Sequence, residues 1–180
     1  RMQRIVDDLL DLSRYESGSW VPNPAQIEVR VAAAEALAVV QASATNKSVA
    51  LLIEIDGDAA RVWADPTALR QILTNLVENA VRYTNEGSVT VFARSTSAGT
   101  MVGVRDTGIG IASDHLPRIF ERFYRVDPGR SREAGGTGLG LAIVRHLAEA
   151  HGGRVRAESN LGKGTTISVL FPRQSNLSND

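Results

Sequence analysis

Three short stretches place polar residues and glycines where they could do chemistry. In DPTALRQILTNLVENAVRYT, Asn75, Asn79, Arg82 and Tyr83 follow the i, i+4, i+7, i+8 spacing of one helix face. That face runs beside an apolar stripe of Leu69, Ile72, Leu73, Leu76, Val77 and Ala80. Asparagine is a mediocre helix former, and a merely solvated face usually carries Glu and Lys, so two asparagines here point toward a ligand. The amide oxygen of Asn79 suits a magnesium ion that keeps waters and phosphate oxygens in its shell. In VRDTGIGI a strand delivers Asp106 into a sharp turn. A carboxylate there can accept from the exocyclic amine of adenine, whereas guanine presents an acceptor and is repelled. GGTGLG, ahead of LAIVRHLAEA, strips side chains from backbone N–H groups at a helix start, where anions are attracted. Each stretch alone also has a plainer reading, as a solvated face, a capped turn and a flexible loop.

Other phosphate loops are absent. Gly162-Lys163 is followed by Gly164 and lacks the upstream glycine of GxxxxGK[ST]. Gly108-Ile109-Gly110 reaches Ser113, and Gly138-Leu139-Gly140 reaches Ile143, so GxGxxG fails twice. The formal net charge of +0 argues against a nucleic-acid groove binder. The absence of cysteine removes disulfides, thiolate chemistry and Cys-based metal sites.

These residues need elements to position them. The 180 residues suit one domain with an appendage. RMQRIVDDLLDLSRYESG reads as an amphipathic helix with an apolar stripe of Met2, Ile5, Val6, Leu9, Leu10 and Leu12, followed by the linker WVPNP. That stripe requires the following domain or a partner helix to cover it. IEVR reads as a strand and VAAAEALAVVQASATNK as a helix, while VALLIEI and RVWA read as strands joined by the turn-like DGD. Asp65-Pro66 opens the long helix to about Tyr83. SVTVFARS and MVGVRD follow as strands, then an irregular stretch over 107–136, a helix from about Leu139 to Ala150, and the strands GRVRAES and GTTISVLF. The pattern predicts a two-layer α/β sandwich, with a mixed, mostly antiparallel sheet covered on one face by three helices. Residues 1–20 form the appendage, 21–172 the domain, and 173–180 a polar, disordered tail. The start at Arg1, mid-pattern, reads as the C-terminal piece of something longer.

NLVENAVRY (75–83), DTGIGI (106–111), IFERFYRVD (119–127), GTGLGL (136–141) and Gly164-Thr165 resemble, in order and separation, the N, G1, F and G2 boxes and closing GT of sensor histidine kinases. The opening helix is similar to the second helix of that family's dimerisation hairpin. The resemblance covers about 60–171 closely and 19–59 only by position. It implies a Bergerat-type fold with ATP between the long helix and a mobile lid. Asn79 then ligates magnesium, Asn75 orients the γ-phosphate or the incoming nucleophile, Arg82 contacts phosphate and Tyr83 lies against adenine. Asp106 holds the adenine amine, with Gly108, Gly110 and Ile111 shaping the base pocket. Gly136, Thr137, Gly138, Leu139 and Gly140 form the loop around the polyphosphate, the side chains of Leu139 and Leu141 serving as packing. Thr165 or Thr166 joins the water network around the base. Of the arginines between 118 and 132, Arg122, Arg125 and Arg132 are candidates for the γ-phosphate or a partner surface, while Arg118 and Arg130 read as solvated. Phe120 and Phe123 read as hydrophobic latches of the lid.

The same resemblance implies a cytoplasmic domain of a membrane-anchored sensor, a response regulator as partner, and a homodimer in the full protein. One feature departs from it. The histidines are His115, His146 and His151, none upstream in an acidic H-box context, so the phosphoacceptor is expected elsewhere. His115 reads as lid surface, and His146 and His151 as cations near a helix C-terminus. Two rival readings remain: an ATP hydrolase of the gyrase, Hsp90 or mismatch-repair type, and a non-catalytic nucleotide-sensing or docking module. The hydrolases use a Glu four residues before the metal-binding Asn, where this chain has Asn75.

Overall fold

Asp65 fixes where the long helix begins. Its Oδ1 accepts from the N–H groups of Thr67 (2.9 Å) and Ala68 (3.0 Å), Pro66 takes the first helical position, and Oδ2 accepts from the N–H of Asn23 (3.0 Å) in the incoming linker. The computed structural model describes residues 2–126 and 136–173; of the expected tail over 173–180, Arg173 donates its N–H to the Ala98 carbonyl (3.2 Å) and 174–180 lie outside the described residues. In chain order the elements are α1 (Met2–Glu16), β1 (Ala25–Glu28), α2 (Val29–Asn46), β2 (Val49–Ile55), β3 (Arg61–Ala64), α3 (Pro66–Tyr83), β4 (Gly87–Thr96), β5 (Gly99–Asp106), α4 (Gly140–Ala150), β6 (Arg154–Asn160) and β7 (Gly164–Pro172).

Five strands form one sheet in the order β2-β4-β5-β7-β6, with β2 and β4 parallel and the other pairs antiparallel. The inward residues Val89, Val91, Val102, Val104, Val169 and Phe171 share a core with the buried faces of α2, α3 and α4. This is the mixed, mostly antiparallel two-layer sandwich that the pattern predicts. Two local readings change. VALLIEI and RVWA are both strands, but DGD does not join them as a hairpin, because β3 pairs with β1 in a separate ribbon. Residues Gly57–Ala59 form a 3-10 turn, and α3 then carries the chain to β4 as the crossover that a parallel pair requires. The strand IEVR also ends early, since Val29 turns into α2. Val29 is fully buried beside Ala33 and Ala36, and its N–H donates to the Ala60 carbonyl (2.9 Å).

The appendage docks by one edge of its apolar stripe. Leu12 is buried, whereas Val6, Leu9 and Leu10 are exposed. Tyr15 donates to Gln71 Oε1 of α3 (2.7 Å), and Gln71 Nε2 donates to Asp11 (3.2 Å). Trp20 of the linker stacks edge-on against Tyr15. His151 closes the other side of the Asp65 anchor. Its Nε2 accepts from the Asp65 N–H (3.0 Å), so Nδ1 carries the proton donated to the Leu147 carbonyl (2.6 Å). That tautomer replaces the cation expected from the helix end.

Burial alone would raise the Asp65 pKa, but bonds from the N–H groups of Ala68, Asn23 and Thr67 hold it below its ordinary 3.8. Its contribution to stability is therefore complete above pH 3.8 and is lost as pH falls from there through the folded value. Asp65→Ala should cost about 2 kcal/mol at neutral pH. A urea midpoint within error of wild type would contradict the capping role.

Candidate functional site

One cleft opens between α3, the loop after β5, the 119–126 segment and the glycine loop before α4. Helix periodicity brings Asn75, Glu78, Asn79, Arg82 and Tyr83 to its wall. Asp106, Gly110 and Ile111 form the opposite wall, with Thr165 and Ile167 of β7 behind them. Arg125, Gly136, Thr137, Gly138 and Gly140 line the other end, and Asp8 of α1 reaches the rim. Of the residues singled out by sequence, all of these but Asp8, Glu78 and Ile167 were expected here.

At one end Asp106 uses a single oxygen for the protein. Its Oδ1 accepts from the N–H groups of Gly108 (2.8 Å) and Thr165 (3.2 Å), and among the described residues no donor engages Oδ2. Burial pushes the carboxyl above its ordinary pKa, and the two backbone bonds offset only part of that. Around it Ser159 Oγ accepts from the Ile111 N–H (2.8 Å), donates to the Gly164 carbonyl (2.8 Å) and lies 2.9 Å from Thr165 Oγ1. Ser159 was not foreseen, because a lone Ser in GRVRAES carries no signal until β6 and β7 are paired.

At the other end the Asn75 Nδ2 is buried with no hydrogen-bond partner among the described residues, and Gly140 is packed against its amide. A Cβ on Gly140 would sit 3.4 Å from Asn75 Oδ1. Asn79 Oδ1 accepts from Arg82 Nη1 (3.3 Å), and Arg125 donates to the Gly136 carbonyl (2.6 Å). An orphaned amide at one end and an unengaged carboxylate oxygen at the other fit a long polar ligand.

Several expectations do not meet the cleft. Thr166 points to the other side of the sheet, because side chains alternate along β7 and Thr165 faces inward. Leu139 is fully buried, so it is a packing residue. Gly108 does not line the cleft either. A Cβ there would fall 2.4 Å from the Tyr83 carbonyl oxygen, so its smallness serves the approach of loop and helix. Gly110, at φ +70, likewise lies against the Asn160 carbonyl while still lining the cleft. Arg122 is engaged away from the cleft, paired with Glu16 of α1.

The lid residues divide in the same way. Phe120 packs on the core, but the Phe123 ring is exposed, and only its N–H latches, donating to the Gly138 carbonyl (2.8 Å). His115 Nδ1 meets Tyr124 Oη at 2.5 Å, while Arg118 pairs with Glu121 (3.2 Å) and stacks over the Tyr124 ring. His146 is not the expected cation. Burial lowers its pKa, with Arg145 and Arg122 adding to the effect against Glu149. Arg130 and Arg132 lie outside the described residues.

Residues 64–175 match the family described as histidine kinase-, DNA gyrase B-, and HSP90-like ATPase. The chain belongs to that family. Among curated proteins it is 40% identical over 176 residues to the sensor-like histidine kinase SenX3 of Mycobacterium tuberculosis, covering 96% of this chain and 42% of that protein. It thus spans less than half the length of the curated relatives it matches. The crystal structure of full-length ShkA in complex with AMPPNP superposes with a TM-score of 0.84 at 31% identity, over 95% of this chain and 35% of that one. The catalytic domain of the histidine kinase ThkA gives 0.71 at 25% identity, over 83% and 95%. The fold is that of histidine-kinase catalytic domains, and the chain is an ATP-binding catalytic domain of the histidine-kinase kind. Among the described residues no helix is long and apolar enough to cross a membrane.

The raised pKa of Asp106 makes a stability prediction. The ionised form is penalised in the fold above that pKa, and the penalty vanishes as pH falls through it toward 3.8. Asp106→Asn should therefore unfold at a higher temperature than wild type at pH 7, with the gap closing on acidification. A lower midpoint at pH 7 would contradict the burial argument.

Proposed function

We propose that this domain binds Mg–ATP and presents the γ-phosphate for in-line transfer to a histidine on another helical segment, and from there to an aspartate of a response regulator. The observation that carries this reading is the pairing of Asp106, with an unengaged Oδ2, and Asn75, with an orphaned Nδ2, at opposite ends of one cleft. Asp106 accepts from the adenine amine and discriminates against guanine. Ile109, Ile111 and Ile167 give the base an apolar bed, with Tyr83 at its edge. Asn79 would hold the metal through Oδ1, the oxygen that accepts from Arg82 Nη1 here, and Arg82 would then be available to phosphate. Asn75 orients the γ-phosphate. Arg125, tied to Gly136, and Thr137 and Gly138 hold the polyphosphate by cation and backbone. Magnesium neutralises charge on the transferring group when bound. Little covalent chemistry is asked of the protein, whose work is positioning.

The acceptor comes from outside this chain. His115 is engaged by Tyr124 and His151 by Asp65 and Leu147, and His146 is half-buried beside Glu16. Dimerisation and membrane attachment likewise belong to the longer protein. A hydrolase reading is weakened by Asn75, an amide with no basic lone pair, where a general base would stand.

Titration calorimetry with AMPPNP and its guanine counterpart, each with and without magnesium, tests binding. Magnesium-dependent binding of the adenine compound alone is expected. Asp106→Asn, which turns an amide donor toward the adenine amine, should weaken it roughly tenfold to a hundredfold. Equal affinity for both bases would remove Asp106 from recognition. With radiolabelled ATP, the chain alone should gain no acid-labile phosphate, and a supplied hairpin bearing the acceptor histidine should gain it. Steady ATP turnover abolished by Glu78→Ala would favour the hydrolase.

A further inference from the structure

We infer that Lys47 is a positioning residue for the adenine end of the cleft, an inference that rests on the nucleotide reading above. Lys47 ends α2, and no cleft residue neighbours it in sequence. Its Nζ donates to the carbonyls of Val81 (2.8 Å), Arg82 (2.9 Å) and Thr84 (3.3 Å) at the end of α3. The last carbonyls of an α-helix have no partner within the helix. Here the remaining one, of Tyr83, accepts from the Ile109 N–H (3.2 Å). Four successive carbonyls, 81 to 84, are thus taken by one ammonium and one amide. An ammonium has three donors and no acceptor, and its charge suits a helix C-terminus.

The turn held this way is the one that faces the ligand. Arg82 and Tyr83 lie on it and line the cleft. The loop carrying Asp106 rests directly on it, through the Ile109 bond and through an approach at Gly108 so close that a Cβ there would run into the Tyr83 carbonyl and Thr84 Oγ1. Gly108 in turn donates to Asp106 Oδ1. The chain runs Lys47, α3 turn, loop, carboxylate, each link a hydrogen bond to or from the backbone. Local backbone aims the lysine. Its N–H and that of Ser48 bond back to Ala44 and Thr45, and Ser48 takes φ +57, a conformation uncommon outside glycine. A lysine that merely capped a helix would touch its own last turn. This one spans from α2 to α3.

Lys47→Met keeps the stem and removes the three donors. Asp65→Ala is the control, since it loosens the same helix from its far end. In ligand-free protein, amide exchange at Ile109, taken relative to Val91 in the core, should quicken about tenfold in Lys47→Met and stay unchanged in Asp65→Ala. AMPPNP affinity with magnesium should fall about tenfold in Lys47→Met and less than roughly twofold in Asp65→Ala. Unchanged exchange at Ile109, unchanged affinity, or an equal loss of affinity in both variants overturns the inference. Failure of the wild-type chain to bind AMPPNP would instead refute the nucleotide reading, and the exchange comparison alone would then decide the role of Lys47.

Discussion

The cleft depends on α3 being held by its buried stripe and by the turn that it shares with the loop from β5. A helix fixes the relative directions of Asn75, Asn79, Arg82 and Tyr83 by its periodicity, but not where that face points. Asp65 sets the first turn with two bonds from one carboxylate oxygen and ties the incoming linker with the other. At the far end the Tyr83 carbonyl is shared with the loop from β5. Between these points Leu69, Ile72, Leu73, Leu76 and Val77 are buried almost completely, so the helix cannot rotate without exposing its apolar stripe. The polar stripe is held toward the cleft as a consequence.

The two ends of the cleft solve different electrostatic problems. Around Asp106 the surroundings are apolar, and burial makes the charged carboxyl costly unless a donor meets it. On the proposed nucleotide reading, that cost is what would give a single hydrogen bond its selectivity, because a base offering an acceptor would leave the charge uncompensated. Toward Asn75 the lining becomes glycine loop and arginine, where backbone N–H groups and cations suit a polyanion. The proposed reading thus separates specificity from charge neutralisation along one groove, each placed where its dielectric surroundings favour it.

Much of this was legible in the sequence because it is local. The helix, its cap and its double stripe follow from spacing alone, and the ordered boxes name the fold that joins them. What was not legible depends on partners distant in the chain. Thr165 and Thr166 differ only in strand parity, which the sequence leaves open until β7 is paired with β5. β2 and β3 look like a hairpin until β2 is seen beside β4. Gly108 has the look of a ligand glycine, yet the atom it makes room for is a carbonyl of α3. Lys47 and Ser159 carry no motif at all. Arg122 was expected at the γ-phosphate or at a partner surface, and Glu16, more than a hundred residues earlier in the chain, engages it.

The docking of α1 shows why the anchors of α3 matter more than the appendage. Its apolar stripe needs the domain or a partner helix to cover it; among the described side chains of the stripe the domain deeply buries Leu12 alone, and the bonds of Asp11, Tyr15 and Glu16 are polar. Exposed or half-buried polar contacts contribute about 0–1 kcal/mol each, against about 1.5–3 kcal/mol for a fully buried leucine. The apolar stripe inside α3 therefore outweighs the seat of α1 on the domain. Asp8 reaches the rim of the cleft only through that weaker seat, whereas Asn75, Asn79 and Asp106 are fixed by the core and by the turn that α3 shares with the loop from β5. The geometry at the ligand end is accordingly a property of the domain, set by α3 and β5, and does not require α1 to hold it.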